Sequence, residues 1–132
     1  MIVLDTHAVL WWASGQHSSL SPAALRSIEA ELDGGRIAIS SISAWEIAML
    51  VARDRVALAV DTDQWLELVG QIEAVRFVPV DNDISVRSVE LPGEFHKDPA
   101  DRIIVATARS LGAPLVTADE KIRAYTHLRT IW

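Results

Sequence analysis

Cysteine is absent from the 132 residues. Its absence excludes disulfides, a thiolate nucleophile and any cysteine-ligated zinc site, and it fits a reducing compartment, so a cytoplasmic location is expected. No apolar run approaches the ~20 residues that a membrane-spanning helix requires. The opening residues, Met1-Ile2-Val3-Leu4-Asp5, have no basic stretch before the apolar run and a charge directly after it. They read as a buried strand, not a signal peptide. Basic residues are scarce too: 12 Lys and Arg stand against 18 Asp and Glu, a formal net charge of −6. Such a surface repels polyanions at long range, so a polyanionic ligand would need local attraction. Arg53, Arg55, Lys97 and Arg102 offer one small basic patch, although four such side chains also suit ordinary solvated surface. Aromatic content is lopsided, with 5 Trp but only 1 Tyr and 2 Phe.

What is present is enough apolar material for one core. Half the residues are hydrophobic, and there is no repeat, low-complexity tract or linker, so a single domain over residues 1–132 is expected. Short apolar runs alternate with helix signals. Ile2-Val3-Leu4, Ile37-Ala38-Ile39, Phe77-Val78-Pro79-Val80 and Leu115-Val116-Thr117 read as strands. Pro79 suggests a strand end or an edge position, and Leu128 to Trp132 suggest one further edge strand.

Helices are predicted over Thr6 to Ala13, after Ser21-Pro22 with Leu25, Ile28 and Leu32 on one face, and from Ser43 to about Arg53. Others follow Asp61, with Trp65, Leu66, Val69 and Ile72 as the apolar side, and run from Ile84 to Leu91, from Asp98-Pro99 to Gly112, and from about Asp119 to Tyr125. This alternation predicts an α/β fold, a three-layer α/β/α sandwich around a mainly parallel sheet. Such sheets carry their sites beyond the carboxyl ends of the strands.

Four carboxylates stand where an apolar run gives way to a helix signal: Asp5, Glu46, Asp101 and Asp119. Singly, each reads as a helix-capping device, favoured by the helix dipole. Ser43-Ala44-Trp45-Glu46 and Thr117-Ala118-Asp119-Glu120 have capping-box spacing, and Asp98-Pro99-Ala100-Asp101 is a cap followed by Pro and an acid. Asp5 is the hardest to explain this way. Thr6 is able to cap the first helix alone, and a carboxylate beside a buried strand is costly unless paired. Jointly, the sheet-edge rule brings at least Asp5 and Asp119 together, as a cluster of hard oxygen ligands for Mg2+ or Mn2+ would require. Both readings stay open on spacing alone.

Three ordered stretches go further: Leu4-Asp5-Thr6-His7-Ala8 with Leu10-Trp11; Ser43-Ala44-Trp45-Glu46-Ile47-Ala48; and His96-Lys97-Asp98-Pro99-Ala100-Asp101-Arg102 with Ile104-Val105-Ala106-Thr107-Ala108, then Leu115-Val116-Thr117-Ala118-Asp119. In these the chain resembles the PIN-domain nucleases, and within them the VapC-type toxins of bacterial toxin–antitoxin modules. The resemblance implies a PIN-like fold and an endoribonuclease that cleaves RNA with metal-activated water. It also implies Mg2+ as cofactor, with Mn2+ as alternative. The family's acids fall on Asp5, Glu46, Asp101 and Asp119; Asp98 reads as an N-cap with a possible part in positioning metal or water, and Thr6 and Thr117 as groups that orient the acids. The implied partners are an RNA substrate, a small VapB-type antitoxin and a second copy of the chain in a homodimer. Many relatives carry a further acid after the fourth, where this chain has Glu120, Lys121 and Ile122, which leaves the number of metals open.

Two rivals remain at this stage. One is a phosphatase or phosphoacceptor domain with Asp5 as nucleophile, against which His7 stands where a second acid is needed. The other is an inactive partner-binding module whose acids only cap helices. His7 and His96 flank the acids, while His17 and His127 read as surface. Trp11 and Trp12 point about 100° apart on a helix, so both cannot centre on one core face. The Trp residues read either as core filling or as interface.

Overall fold

The computed structural model describes all residues, Met1–Trp132. Five short strands, β1 (Ile2–Leu4), β2 (Ile37–Ser40), β3 (Val75–Val78), β4 (Leu115–Val116) and β5 (Thr130–Ile131), form one sheet in the order β3-β2-β1-β4-β5. Every pairing is parallel, so the expected mainly parallel sheet is parallel throughout. The helices are α1 (Thr6–Ala13), α2 (Pro22–Leu32), α3 (Ser41–Ala52), α4 (Thr62–Gly70), α5 (Asn82–Val89), α6 (Pro99–Leu111) and α7 (Glu120–Arg123).

Alternation along the strands divides the core in two. Ile2 and Leu4 of β1, Ile37 and Ile39 of β2 and Val116 of β4 pack with Val9 of α1, Ile28 of α2, and Trp65 and Val69 of α4. Val3, Ala38 and Leu115 face the other way, onto Ile84 of α5, Ile104, Val105 and Ala108 of α6, and Ile122 of α7. With both faces covered, the strands need no polar side, which is why they read as unbroken apolar runs. Burying each Leu or Ile contributes about 1.5–3 kcal/mol relative to exposure. The sheet is thus the rigid floor of whatever stands at its ends.

Several boundaries differ from the sequence reading. The third strand runs Val75–Val78, not Phe77 to Val80; Pro79 lies just past its end, and the strand is at the edge of the sheet as Pro79 suggested. The helix expected from Ile84 to Leu91 is two residues earlier, because Asp81 Oδ1 accepts from the Ile84 amide at 2.9 Å and caps it. Asp61 precedes α4, but its side chain makes no capping bond. The buried face of α2 is Ala24 and Ile28; Leu32 is exposed. Trp12 and Trp65 fill core, Trp11 is half-buried, and Trp45 is 56% exposed, so core filling does not describe Trp45. Gly112 ends α6 at φ +63°, a left-handed cap that glycine adopts without strain.

β1 pairs with β2 on one side and β4 on the other, so the winding of the sheet changes direction beside β1. A crevice at the carboxyl ends of the strands follows there from topology alone.

Candidate active site

Asp5 follows β1 directly and is buried, 9% exposed. Its Oδ1 accepts from the Thr6 amide at 2.8 Å and its Oδ2 from the Thr117 hydroxyl at 2.7 Å. Asp5, not Thr6, is therefore the N-cap of α1. Thr6 is the first helical residue, and its hydroxyl is used across the fold: it donates to Glu46 Oε1 at 2.6 Å and lies 2.8 Å from Ser43 Oγ. A threonine hydroxyl has one hydrogen, so with that hydrogen on Glu46 the Ser43 hydroxyl donates to Thr6.

The capping box expected at Ser43 is absent. Ser40, the last residue of β2, caps α3 by accepting from the Ile42 amide at 3.2 Å. Ser43 and Glu46 then sit inside the helix, with Ser43 fully buried and the Glu46 carboxylate turned to Thr6 on α1. Glu46 is thereby freed from the capping role that its spacing suggested.

On α6 the sequence reading holds at the cap: Asp98 Oδ1 accepts from the Asp101 amide at 2.9 Å. Arg102 departs from expectation. Its guanidinium donates to the carbonyls of Ser88, Val89, Phe95 and His96 at 2.8–3.2 Å. It ties the α5–α6 connection to α6 and is not a free cation for a polyanion. His96 Nε2 lies 3.1 Å from Asp101 Oδ2 but makes no hydrogen bond, which leaves the buried ring nitrogen unsatisfied.

Thr117 follows β4. Besides donating to Asp5, its hydroxyl accepts from the Asp119 amide at 3.1 Å. Asp119 itself caps α7, with Oδ1 accepting from Lys121 and Ile122 amides at 2.8 and 3.1 Å. The Thr117–Glu120 capping box is not formed, because Thr117 is engaged with Asp5 and Asp119 holds the cap position.

Asp5, Glu46, Asp101 and Asp119 line one cavity of about 390 Å³ with Thr6, His7, Trp11 and Ala118. All four acids are thus brought to one place, from the ends of β1 and β4, the interior of α3 and the start of α6. Crowding and burial alter their acidity. Burial pushes Asp101 up to about 7, and Asp98, Asp5, Asp119 and Glu46 push in the same direction. Burial also raises Glu46 and Asp5, opposed at Glu46 by the Thr6 hydroxyl and at Asp5 by Thr117 and the Thr6 amide. As the side chains stand, no three His, Asp or Glu residues form a ready-made cation cage. The donor set itself is hard oxygen, suited to Mg2+ or Mn2+. The mutual repulsion is what a cation would relieve.

Sequence reasoning missed Ser43 and Arg102 as contributors. Ser43 carried a signal, a polar residue three before Glu46, but it was assigned to the wrong bond. Arg102 carried none, since its partners are backbone carbonyls.

With the fold and the cavity described, comparison with known proteins is direct. The PIN domain family matches residues 2–128, and the chain belongs to that family. It is 38% identical over 133 aligned positions to Ribonuclease VapC22 of Mycobacterium tuberculosis, covering 99% of this chain and 98% of that one. Among solved structures it is similar to a chain of VapBC2 from Rickettsia felis bound to a promoter DNA fragment, with TM-score 0.71, 19% identity and 98% and 97% coverage. It is also similar to a chain of a toxin–antitoxin complex from Klebsiella pneumoniae, with TM-score 0.64, 23% identity and 96% and 94% coverage. These structural likenesses bear out the expected PIN-like α/β fold.

Proposed function

We propose that the protein is a Mg2+- or Mn2+-dependent endoribonuclease, a growth-inhibiting toxin of the VapC type held in check by a small antitoxin. The observation that carries this reading is the convergence of Asp5, Glu46, Asp101 and Asp119 on one cavity at the carboxyl edge of the sheet. The name of the relative from Mycobacterium tuberculosis supports the ribonuclease activity, and the toxin–antitoxin complexes among the structural relatives support the partner.

Asp5, Glu46, Asp101 and Asp119 would hold the cation. Thr117 steadies Asp5 and Thr6 steadies Glu46, as hydrogen-bonded neighbours of metal ligands commonly do. Lewis acidity toward a phosphate oxygen and a lowered pKa for bound water are the chemistry that such a cation supplies. Hydrolysis then adds the elements of water across one P–O bond of the RNA, leaving phosphate on one fragment and hydroxyl on the other. Exposed Trp45, at 56%, and Val86 and Val89 of α5, at 55% and 76%, supply apolar surface for the antitoxin and for a second copy of the chain.

The phosphoacceptor alternative fits less well, because His7 occupies the place of the second acid. A purely capping role accounts for Asp98 and Asp119 but not for the burial of Asp5 or the raised pKa of Asp101.

The test is expression alone and together with a small gene found beside this one, scoring growth and mapping RNA ends, with cleavage by purified protein in Mn2+ and in EDTA measured as well. Arrest relieved by the small gene, with cuts that need metal, is expected. Metal-independent cleavage, or no cleavage together with no heat of Mn2+ binding, would sink the reading.

A further inference from the structure

The cavity that holds the acids has an aromatic wall which the metal chemistry does not use. Trp11 lines it beside Asp5, Glu46, Asp101 and Asp119. His7, one helical turn earlier on α1, also lines it, with its ring 5.6 Å from that of Trp11. The ring of Trp132, just beyond β5, lies 5.9 Å from Trp11 on a tilt of 51°. Trp11 is therefore the shared member of two aromatic pairs on the wall of the acidic cavity. Trp11 is only half-buried and packs against the edge of the core without entering it, unlike its neighbour Trp12.

The same cavity lacks the usual means of holding a nucleic acid. No Lys or Arg lines it, and Arg102, the nearest in sequence to Asp101, gives its guanidinium to four backbone carbonyls. Lys121 lines only the adjoining cavity that shares Asp101 and Asp119, so side-chain cations contribute little within this one. Stacking of unpaired bases on aromatic rings is the sequence-tolerant way in which single strands are held, since every base has a π-face.

We propose that Trp11, flanked by His7 and Trp132, is a stacking platform for an unpaired nucleobase next to the scissile phosphate. This rests on the ribonuclease reading and adds a specificity element to it: the strand must be open at the cut. Trp11 is a positioning residue, not a catalytic one.

The test compares wild type, Trp11→Phe and Trp11→Leu on a labelled single-stranded RNA of mixed sequence in Mn2+, with thermal midpoints measured alongside. Leucine keeps an apolar contact with the core but has no ring face. Trp11→Leu is expected to raise KM about tenfold or more with kcat little changed, while Trp11→Phe stays near wild type. A scan of abasic substitutions needs no protein variant: wild type should lose affinity at one position beside the cut, and the same RNA within a duplex should resist cleavage. If wild type cleaves but both variants keep its KM, or no abasic position matters, the platform is overturned and the ribonuclease reading stands. If wild type cleaves none of these RNAs and gives no heat of Mn2+ binding, the ribonuclease reading falls and the platform falls with it.

Discussion

Two cavities of similar size stand at opposite edges of the sheet and carry opposite charge. The one at the carboxyl edge, about 390 Å³, is lined by Asp5, Glu46, Asp101 and Asp119. The one at the amino edge, about 430 Å³, is lined by Arg109, Arg129, His127 and the residues around Gly112. A parallel sheet makes this asymmetry easy to build. Helices start at the carboxyl edge and end at the amino edge, so acids gather at positive helix ends and bases at negative ones. Charge sign by itself therefore says little about function.

What separates the two is burial. At the amino edge, Arg109 is exposed and donates to the His127 carbonyl, and ordinary helix-end compensation accounts for it. At the carboxyl edge, Asp5 is buried and Asp101 is held near neutrality by burial and by its acidic neighbours. A capping device has no need of such costs; a cation site does.

The strongest way to break this contrast is to remove the buried charge. Asp5→Asn should lower RNA cleavage by about a hundredfold or more, since a charged ligand of the proposed cation is lost, and losing even a group that only orients such a ligand costs about 10–100-fold. Its thermal midpoint should hold or rise, because the neutral amide costs less to bury than the charge, its oxygen still accepts from the Thr6 amide, and its NH2 donates to the Thr117 hydroxyl in place of accepting from it. Full activity in a folded Asp5→Asn protein would reduce the acidic edge to the status of the basic one.

Thr117→Val is subtler, removing the hydroxyl that donates to Asp5 Oδ2. Mn2+ affinity, read by titration calorimetry, should weaken about 10–100-fold, the usual effect of losing a group that orients a metal ligand. Affinity equal to wild type would mean that Asp5 needs no positioning.

A third prediction concerns pH. The Asp101 carboxyl is raised from 3.8 in the unfolded chain to about 7 in the fold, so between those values the folded state binds more protons. The contribution of Asp101 to stability is therefore fully present below the lower value and is lost as pH rises toward about 7. Without metal, the thermal midpoint should fall over that interval, and saturating Mn2+ should flatten the fall. A midpoint that climbs with pH in metal-free buffer would contradict the crowding argument.

The smallest effect belongs to the other edge. Arg109→Gln should leave cleavage and Mn2+ affinity unchanged and cost about 0.3–1 kcal/mol, as expected for a charge in the last turn of a helix. A large loss of cleavage would mean that the two edges communicate.

How far the site was legible depends on the range of each interaction. The helix cap at Asp98, the stop at Gly112 and the strand before Asp5 are local, and the residues that cause them are neighbours in the chain. The capping box at Ser43 does not form because three serines, Ser40, Ser41 and Ser43, all suit a cap, and only the length of β2 decides that Ser40 takes it. The bond from Thr6 to Glu46 spans 40 positions and that from Thr117 to Asp5 spans 112, beyond any local pattern. The exposure of Trp45 was equally hidden, since its helix carries apolar residues on several faces.

The amino-acid sequence by itself determined the alternation of buried strands and helices, the parallel α/β class and an acid at each of several helix starts. These follow from short-range preferences: apolar runs, caps and breakers act within a few residues. Only the tertiary structure decided that those acids share one cavity, which of them are buried, which hydroxyl holds which carboxylate and that Arg102 is spent on backbone carbonyls. Such outcomes depend on how the sheet orders its strands and on the desolvation that the resulting crevice imposes, and neither is a property of any one segment.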